Sequence, residues 1–432
     1  MRLAHLCNDK QVTPPPASTS TPTVERSSFP TVVVVLLSVA TFVAMTSETL
    51  PVGLIQAISR GLAVPIDHVG LLVTVYGGVV AVGAIPLTAL VSRWPHERAM
   101  PVVMVVFAAS CLVAGLSTDL ATALVARVVG GTAHAVFFSI AFATMVVRTA
   151  PHRRGRAATA LGGGNALALV LGIPAATALG TSTSWRVPFL VSSGCFLVLA
   201  VLTHVVLRGY PAVHHTGATS ARAVVRAAFS RPMLKIALAL VLTMTAHFAT
   251  YTYISPVIVH AGIWESAVAM VLLAYGVVGA ASLFGTAVVA DRAPSAGLRG
   301  TIALTLLCLV GLWFAQGSAL GAVVAVAVWG AAFGAAPALW QLVALHAAPH
   351  EPGAGPAVVN ASFNVGIALG AWGGGMVIEQ RGPGTLVLGS TLIAAVALGV
   401  VLLPRWFPRD VTTVLATERS PQERSPREHS LP

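Results

Sequence analysis

Twelve long runs of apolar residues follow one another along this chain between residues 31 and 404. A helix that crosses the hydrocarbon core of a bilayer needs about 20 mostly apolar residues, and each run approaches or exceeds that length. The composition agrees, because 56% of the residues are hydrophobic and only 9% are charged, whereas soluble domains carry roughly 25% charged residues. We therefore predict an all-α integral membrane protein with twelve transmembrane helices. The runs lie near residues 31–57, 68–92, 99–117, 119–147, 156–180, 187–207, 233–260, 266–290, 300–317, 319–345, 356–379 and 384–404.

The second and eighth runs repeat each other at an offset of 199 residues. The stretch LLVTVYGGVVAVGAIPLTALVSR ends at Arg93, the stretch LLAYGVVGAASLFGTAVVADR ends at Arg292, and Tyr76 of the first matches Tyr275 of the second. Duplicated halves are typical of transporters, in which two helix bundles rock about a central site. The repeat therefore predicts two six-helix pseudo-repeated halves and indicates transport.

Polar segments flank and separate these halves. We predict an N-terminal half over residues 31–207 and a C-terminal half over 232–404, joined by a basic cytoplasmic connector at 208–231. Residues 1–30 and 405–432 are polar, and we expect them to be disordered cytoplasmic tails. The first tail has no apolar core of a cleavable signal peptide, so the first helix must direct insertion itself.

The basic residues explain the net charge of +11. Nearly all of the 25 Lys and Arg residues fall in the tails, the connector and the loops of one side, whereas the loops of the other side hold only Arg60, Arg186 and Arg381. This asymmetry follows the positive-inside rule, and it places both termini in the cytoplasm. The scarcity of Lys is compatible with a GC-rich bacterial genome, so we expect a bacterial inner-membrane protein. The basic charge orients the chain in the lipid bilayer; we expect a monomer with no nucleic-acid partner.

No motif for an enzyme or a cofactor is evident in the sequence. The four Cys residues are scattered without metal-ligand spacing, and no phosphate-binding Walker motif is present. We therefore expect no metal, no cofactor and no enzymatic activity.

Two charged residues stand out, Glu48 and Arg127, because they fall well inside predicted helices, away from the ends, where an ionised group costs roughly 2.5 kcal/mol or more. Both fall at a similar depth, so we expect that they can pair. A buried carboxyl group changes its protonation when its surroundings change, and it can thereby couple a proton gradient to substrate movement. Alternatively, Glu48 caps an outer loop beside Pro51, and Arg127 is a fixed charge bonded to backbone carbonyls. Val326 stands at the repeat position of Arg127, which suggests that coupling resides in the N-terminal half.

Two histidines are predicted near the middle of the membrane. His134 follows Arg127 by two helical turns on the same face, and His247 lies at a similar depth on the seventh helix, with Tyr251 one turn further on. Histidine titrates near neutral pH, which makes both candidates for contact with protons or substrate. Hydrogen-bonded packing is the alternative.

An aromatic stripe and two asparagines complete the candidate cavity. Trp329, Phe333 and Trp340 recur at helical spacing on the tenth helix. Such stripes are often core, yet aromatic rings with a few polar groups also form pockets for amphiphilic molecules. Asn165 and Asn364 are related by the offset of 199, and each can bond across helices or face the cavity.

Small residues concentrate on the fifth and eleventh helices, with Gly172 and Gly370 among them. Helices approach closely in lipid only where such residues form the contact surface. We therefore predict that these two helices form the moving interface between the halves.

From residue 31 to residue 404 the chain resembles a twelve-helix transporter of the major facilitator superfamily, of the drug:proton antiporter type. It is most similar to the bacterial arabinose/sugar-efflux and chloramphenicol-resistance group. The resemblance implies proton coupling through Glu48 and Arg127, and helix-interface roles for Gly131 and Pro174. The similar stretches are SETLPVGL at 47–54, ARVVGG at 126–131, GIPAATALG at 172–180, SWRVPF at 184–189, YTYISP at 251–256 and NASFNVGIALGAWGGG at 360–375.

The loop between the second and third helices departs from the family pattern. It reads TALVSRWPHER, with Ser92 where the family has Asp and Pro95 where it has Gly, so that Arg93 alone is retained. The second copy keeps Asp291 and Arg292. The resemblance implies that these three charged residues belong to a cytoplasmic gate.

These features together predict an inner-membrane exporter that exchanges protons for a small organic compound, such as an antibiotic or another amphiphilic drug. A sugar or metabolite exporter of the same fold is the first alternative. A non-transporting membrane sensor is the second, and a large soluble module would favour it.

Overall fold

The structure, a computed structural model, describes residues 31–91, 94–149, 153–208, 226–347 and 354–403. Both predicted tails and most of the predicted connector lie outside these residues. Helices occupy almost all of the described chain. They are α1 (Thr31–Leu62), α2 (Ile66–Val91), α3 (His96–Leu116), α4 (Leu120–Arg148), α5 (Arg154–Leu167, a π-helical turn at Ala168–Gly172, and Ile173–Ser182), α6 (Arg186–Arg208), α7 (Arg231–Thr252 and Ile254–His260), α8 (Val268–Arg292), α9 (Pro294–Phe314), α10 (Ala319–Ala347), α11 (354–381) and α12 (383–402).

The last two helices form one continuous helical stretch, Ala354–Leu402, that bends sharply at Gly382. Gly382 has φ +80°, a backbone conformation that residues with a side chain rarely adopt. Pro383 follows and lacks the N–H that would continue the helix. The described residues contain eleven apolar stretches long enough to span a membrane, and these provide twelve spans because the eleventh, Gly355–Leu402, is long enough for two. The predicted all-α membrane fold is confirmed.

Helices α1, α5 and α7 each contain a feature that departs from the sequence or the geometry of a regular α-helix. Pro51 lies inside α1, and α5 carries the π-helical turn, a feature that often marks functional positions. Helix α7 is interrupted at Tyr253, whose φ of −107° and ψ of 25° are not helical, three residues before Pro256. These irregular segments belong to helices that lie next to one another between the halves.

Each half packs mainly through helix pairs of its own. In the N-terminal half α1 contacts α5, α2 contacts α4 and α3 contacts α6; in the C-terminal half α7 contacts α11, α8 contacts α10 and α9 contacts α12. Across the halves, α2 packs on α11 and α5 on α8. Gly77 permits the first of these contacts, because a Cβ atom there would lie 3.2 Å from the main-chain oxygen of Asn364.

The two halves share one apolar core at the end of the molecule that carries the α1–α2 turn. That core joins residues from Leu50 to Leu62 of α1 with most of the C-terminal half. The opposite end of the N-terminal half has a separate core around Phe107, Phe137 and Phe196. The halves are therefore packed together at the α1–α2 end.

Candidate functional site

The centre of the N-terminal half contains a buried acid and a buried imidazole in contact. The Glu48 Oε2 atom of α1 lies 3.4 Å from the His134 Nδ1 atom of α4, and the two side chains are 14% and 6% exposed. At this separation the carboxyl group and the imidazole ring can share a proton or form an ion pair when the histidine is protonated. The pair therefore responds to the arrival or loss of one proton.

Tyr76 of α2 is a third member of this group, which was not predicted as a site residue. Its hydroxyl oxygen lies 3.2 Å from His134 Nδ1, and its ring meets the imidazole edge-on. The side chain is almost completely buried. We call Glu48, Tyr76, Arg127 and His134 the N-half polar cluster.

Arg127 lies beside Glu48, and its hydrogen bonds in the described structure go to main-chain oxygens rather than to the Glu48 carboxylate. The guanidinium donates from Nη1 to the carbonyl of Ser47 at 3.1 Å, from Nη2 to the carbonyl of Glu48 at 2.6 Å, and from Nε to the carbonyl of Leu72 at 3.0 Å. It also lies over the ring of Tyr76, 4.0 Å from its centroid.

Pro51 explains why Arg127 is needed at this place. In an α-helix the carbonyl of residue 47 would accept from the N–H of residue 51, which proline lacks. An unpaired buried carbonyl costs about 1–3 kcal/mol, and Arg127 supplies the missing donor. The arrangement matches the alternative in which Arg127 is a fixed charge on backbone carbonyls.

The corresponding region of the C-terminal half is an aromatic cluster. The His247 ring stacks on Phe333 with centroids 4.3 Å apart, and it lies 4.6 Å from Trp329. The Tyr275 hydroxyl lies 3.4 Å from His247 Nε2, and the Tyr251 ring lies 5.1 Å from that of Tyr275. All of these except Phe333 are buried. We call these five residues the C-half aromatic cluster; Tyr275 was not predicted as a site residue.

The two clusters occupy equivalent positions in the duplicated halves. The offset of 199 relates Glu48 to His247, His134 to Phe333 and Tyr76 to Tyr275. The contact between Glu48 and His134 thus corresponds to the stack of His247 on Phe333. Equivalent positions are therefore polar in the first half and aromatic in the second.

The remaining predicted cavity residues lie apart from these contacts. Trp340 is fully buried, and Asn165 is partly buried on α5. Asn364 donates to the main-chain oxygen of Asn360, one turn earlier on α11, at 3.0 Å. Its Oδ1 atom is buried and has no hydrogen-bond partner among the described residues, as is true of Nε1 of Trp329. Within the described ranges, no group of three His, Cys, Asp or Glu side chains could hold a metal ion.

The predicted interface glycines contact helices of their own half. Gly131 faces the main-chain oxygen of Tyr76, Gly172 faces Thr46, and Gly370 faces α7. Pro174 begins the last segment of α5 and is buried.

The proposed cytoplasmic gate remains undescribed. Arg93 lies outside the described residues, and the side chains of Asp291 and Arg292, at the end of α8, are not described.

Two contacts close the α1–α2 end between α1 and the α7–α8 region. Arg60 forms a bidentate ion pair with Glu265, with N–O distances of 2.6 and 3.1 Å. Ser255 donates to Gln56 Oε1 at 3.0 Å. Gln56 and Ser255 are themselves related by the offset of 199, so a contact between them lies on the pseudo-twofold axis of the duplication. None of these four residues was predicted as a site residue.

Comparison with known proteins shows which family this chain belongs to. The sequence profile of the Major Facilitator Superfamily matches residues 37–371. The chain is 31% identical over 376 residues to the inner membrane transport protein YdhP of Escherichia coli, with 85% of this chain and 94% of that protein covered. It is 29% identical over 385 residues to a chloramphenicol efflux pump of Mycobacterium tuberculosis, covering 86% and 92%. It is 27% identical over 368 residues to a probable sugar efflux transporter of Mannheimia succiniciproducens, covering 84% and 91%.

A solved structure shares the architecture. The inward-facing, unoccupied form of a bacterial homologue of the human lysosomal transporter Spinster superposes with a TM-score of 0.70 at 13% identity, covering 87% of this chain and 97% of that one. The match supports the arrangement of helices and no more. Because the family profile extends over most of the twelve helices, the chain belongs to the Major Facilitator Superfamily, whose members are membrane transporters and not enzymes.

Proposed function

We propose that this chain exports a small organic compound across a bacterial inner membrane in exchange for protons. The observation that carries the proposal is the buried pair of Glu48 and His134, whose facing atoms are 3.4 Å apart. Ionisable groups inside a membrane protein are costly and tend to mark proton paths. The names of the relatives, which include efflux pumps for chloramphenicol and for sugars, support the direction of transport.

The orientation follows from the distribution of basic residues. With both termini in the cytoplasm, the α1–α2 end faces the periplasm, and the contacts of Arg60 with Glu265 and of Gln56 with Ser255 close that side. The Glu48 side chain is 14% exposed, and we assign this access to the cytoplasmic side because the other side is closed. In this state the pair releases its proton inward and the substrate enters from the same side.

Coupling then depends on a change in the surroundings of the pair. When the periplasmic side opens, Glu48 takes up a proton from the outside, and the protonated pair favours the state that releases the substrate. A proton that crosses with the membrane potential supplies about 2.3 kcal/mol per 100 mV. Arg127 stays protonated, so its role is to hold α1 and to place a fixed positive charge beside Glu48.

The aromatic cluster favours an amphiphilic substrate. Phe333, the partly exposed member, stacks on His247 and also meets Phe363 of α11 at 6.1 Å. Aromatic rings such as these bind the flat apolar surface of an amphiphilic substrate well. A sugar is the second candidate. Trp329 Nε1 is a buried donor and Asn364 Oδ1 is a buried acceptor, both without a partner in the described part of the chain, and they could serve the hydroxyl groups of a sugar.

The test is transport by the purified chain in proteoliposomes that carry a pH-sensitive dye. Addition of an amphenicol, as one member of a varied drug panel, is expected to drive protons across the membrane in the direction opposite to the drug. Arabinose and related sugars serve as the second panel. Movement with sugars alone would select the second candidate, and no proton movement with any compound that is transported would overturn proton exchange.

The ion pair between Arg60 and Glu265 gives a separate prediction about the periplasmic side. The pair is 64% and 37% exposed, so it contributes at most about 1 kcal/mol. The variant Arg60→Glu, which sets two carboxylates against each other, is expected to raise labelling of a Cys placed at Ser255 by an impermeant thiol reagent about two- to fivefold. The measurement uses a background from which the native Cys residues are removed.

The matched control reverses both charges. Arg60→Glu combined with Glu265→Arg restores the attraction and should return the labelling rate to its original value. If the double variant labels as fast as the single one, the ion pair does not hold this side closed.

A further inference from the structure

A groove of about 570 Å³ lies where α7, α9 and α11 end and α12 begins, at the periphery of the C-terminal half. Its size is within the range of about 300–1,000 Å³ that is usual for small-molecule sites. It takes no part in the transport site described above. The lining residues that matter here are His260, Trp313, Phe314, Gln316, Arg381 and Leu388.

The polar wall of the groove favours an anion. Arg381 is exposed, and in the described part of the chain no acidic side chain forms an ion pair with it. His260 and Gln316 add hydrogen-bonding groups beside it. Gly384 accommodates the amide of Gln316, since a Cβ there would fall 2.5 Å from its Oε1 atom. A guanidinium with neighbouring donors suits a group that has several oxygen atoms, such as a phosphate.

The position of the groove favours a lipid over a dissolved ion. It lies at the level of the helix ends, where the headgroup layer meets the protein. Trp313 and Phe314, 36% and 74% exposed, end α9 at this level, as aromatic residues do at membrane interfaces. Below them on α12, Leu388 and Leu392 follow at one-turn spacing and are 38% and 60% exposed. The polar wall that contains Arg381 is thus continuous with an exposed apolar strip formed by Leu388 and Leu392.

We propose that this groove binds the phosphate headgroup of an anionic phospholipid. Arg381 contacts the phosphate, Trp313 and Phe314 lie beside the glycerol region, and the exposed leucines of α12 contact an acyl chain. The bound lipid joins the ends of four helices of the C-terminal half. The site stands independently of the transported substrate and of proton exchange.

Binding is tested by native mass spectrometry of the purified full chain with added phosphatidylglycerol. The intact chain is expected to retain this lipid in preference to phosphatidylcholine, and Arg381→Gln is expected to weaken binding about tenfold, which equals about 1.4 kcal/mol. Gln316→Glu, which places a negative charge in the groove with almost no change of shape, is expected to have a similar effect. Arg231→Gln, which removes an exposed charge at the opposite end of α7, is the control and should bind as before.

Two results would overturn the proposal. Equal retention of phosphatidylglycerol by the intact chain and by both groove variants would show that the lipid binds elsewhere. Protection from thermal unfolding by inorganic phosphate as strong as that by the lipid would show that the groove takes a free anion and that the apolar strip is irrelevant.

Discussion

The Glu48→Gln variant is expected to lose gradient-driven export while it keeps its fold. Glutamine has nearly the same shape as glutamate and can still contact His134, 3.4 Å away, but it cannot take up or release a proton. One proton is worth about 2.3 kcal/mol at 100 mV, so the maximal concentration ratio of substrate should fall about 50-fold at that potential. The ratio is measured in proteoliposomes with an imposed potential and pH gradient.

A second carboxyl variant separates loss of coupling from general damage. Glu265→Gln removes an acidic group from the closed α1–α2 end and leaves the N-half polar cluster untouched, so it should retain the concentration ratio of the intact chain. Substrate binding should survive in Glu48→Gln, because the aromatic cluster lies in the other half. Full accumulation of substrate by Glu48→Gln would exclude this carboxyl group as the proton carrier.

The same coupling predicts a change in pH dependence. Export by the intact chain should vary with pH at a fixed membrane potential, since in the proposed cycle the Glu48 carboxyl group binds and releases a proton. Downhill substrate exchange by Glu48→Gln should lose the part of that dependence that Glu48 provides. A dependence that remains near neutral pH would then be assigned to His134 or His247, the histidines of the two clusters.

The fold could be predicted because the bilayer imposes long apolar runs, and the twelve runs map onto twelve helices. The break at Gly382 is visible in the sequence as an Arg-Gly-Pro-Gly stretch between two runs. Grouping Glu48, Arg127 and His134 was also possible, since polar residues buried in a membrane protein have few places to lie. The structure brings these three together.

The choice between the two interpretations of Arg127 has a physical cause. Pairing with Glu48 and bonding to backbone carbonyls were both open from the sequence, and Pro51, which leaves the Ser47 carbonyl without its helical donor, favours the second. Tyr76 and Tyr275 were visible in the sequence as a repeated pair. A residue that occurs in both copies of a duplication does not, however, show which neighbouring side chain it contacts. Had the offset been applied to Glu48 itself, it would have identified His247 as its equivalent.

The contacts at the closed end could not be derived from the sequence. The pair of Arg60 and Glu265 depends on how the two halves are placed relative to each other, and periodicity within a helix does not determine that placement. The contact of Gln56 with Ser255 had a weak signal, because two residues related by the duplication can touch only near its axis.

The Arg127→Met variant is expected to destabilise the N-terminal half rather than to alter coupling selectively. Methionine fills a similar volume but leaves the Ser47 carbonyl without a donor and removes the contact with the Tyr76 ring. The unpaired carbonyl costs about 1–3 kcal/mol, and the lost ring contact costs about 0.5–2 kcal/mol. The thermal unfolding midpoint of the purified protein should therefore fall by several degrees.

The Arg127→Lys variant separates the effect of the forked guanidinium geometry from the effect of the positive charge. Lysine keeps the positive charge beside Glu48, but its single ammonium group cannot reach carbonyls of two helices in the way that the forked guanidinium does. We expect an intermediate loss of stability, with the proton-to-substrate ratio of the folded fraction unchanged. A lysine variant that is as stable as the intact chain but exports without moving protons would reverse the assignment, because Arg127 would then act in coupling through its guanidinium and not as the support of α1.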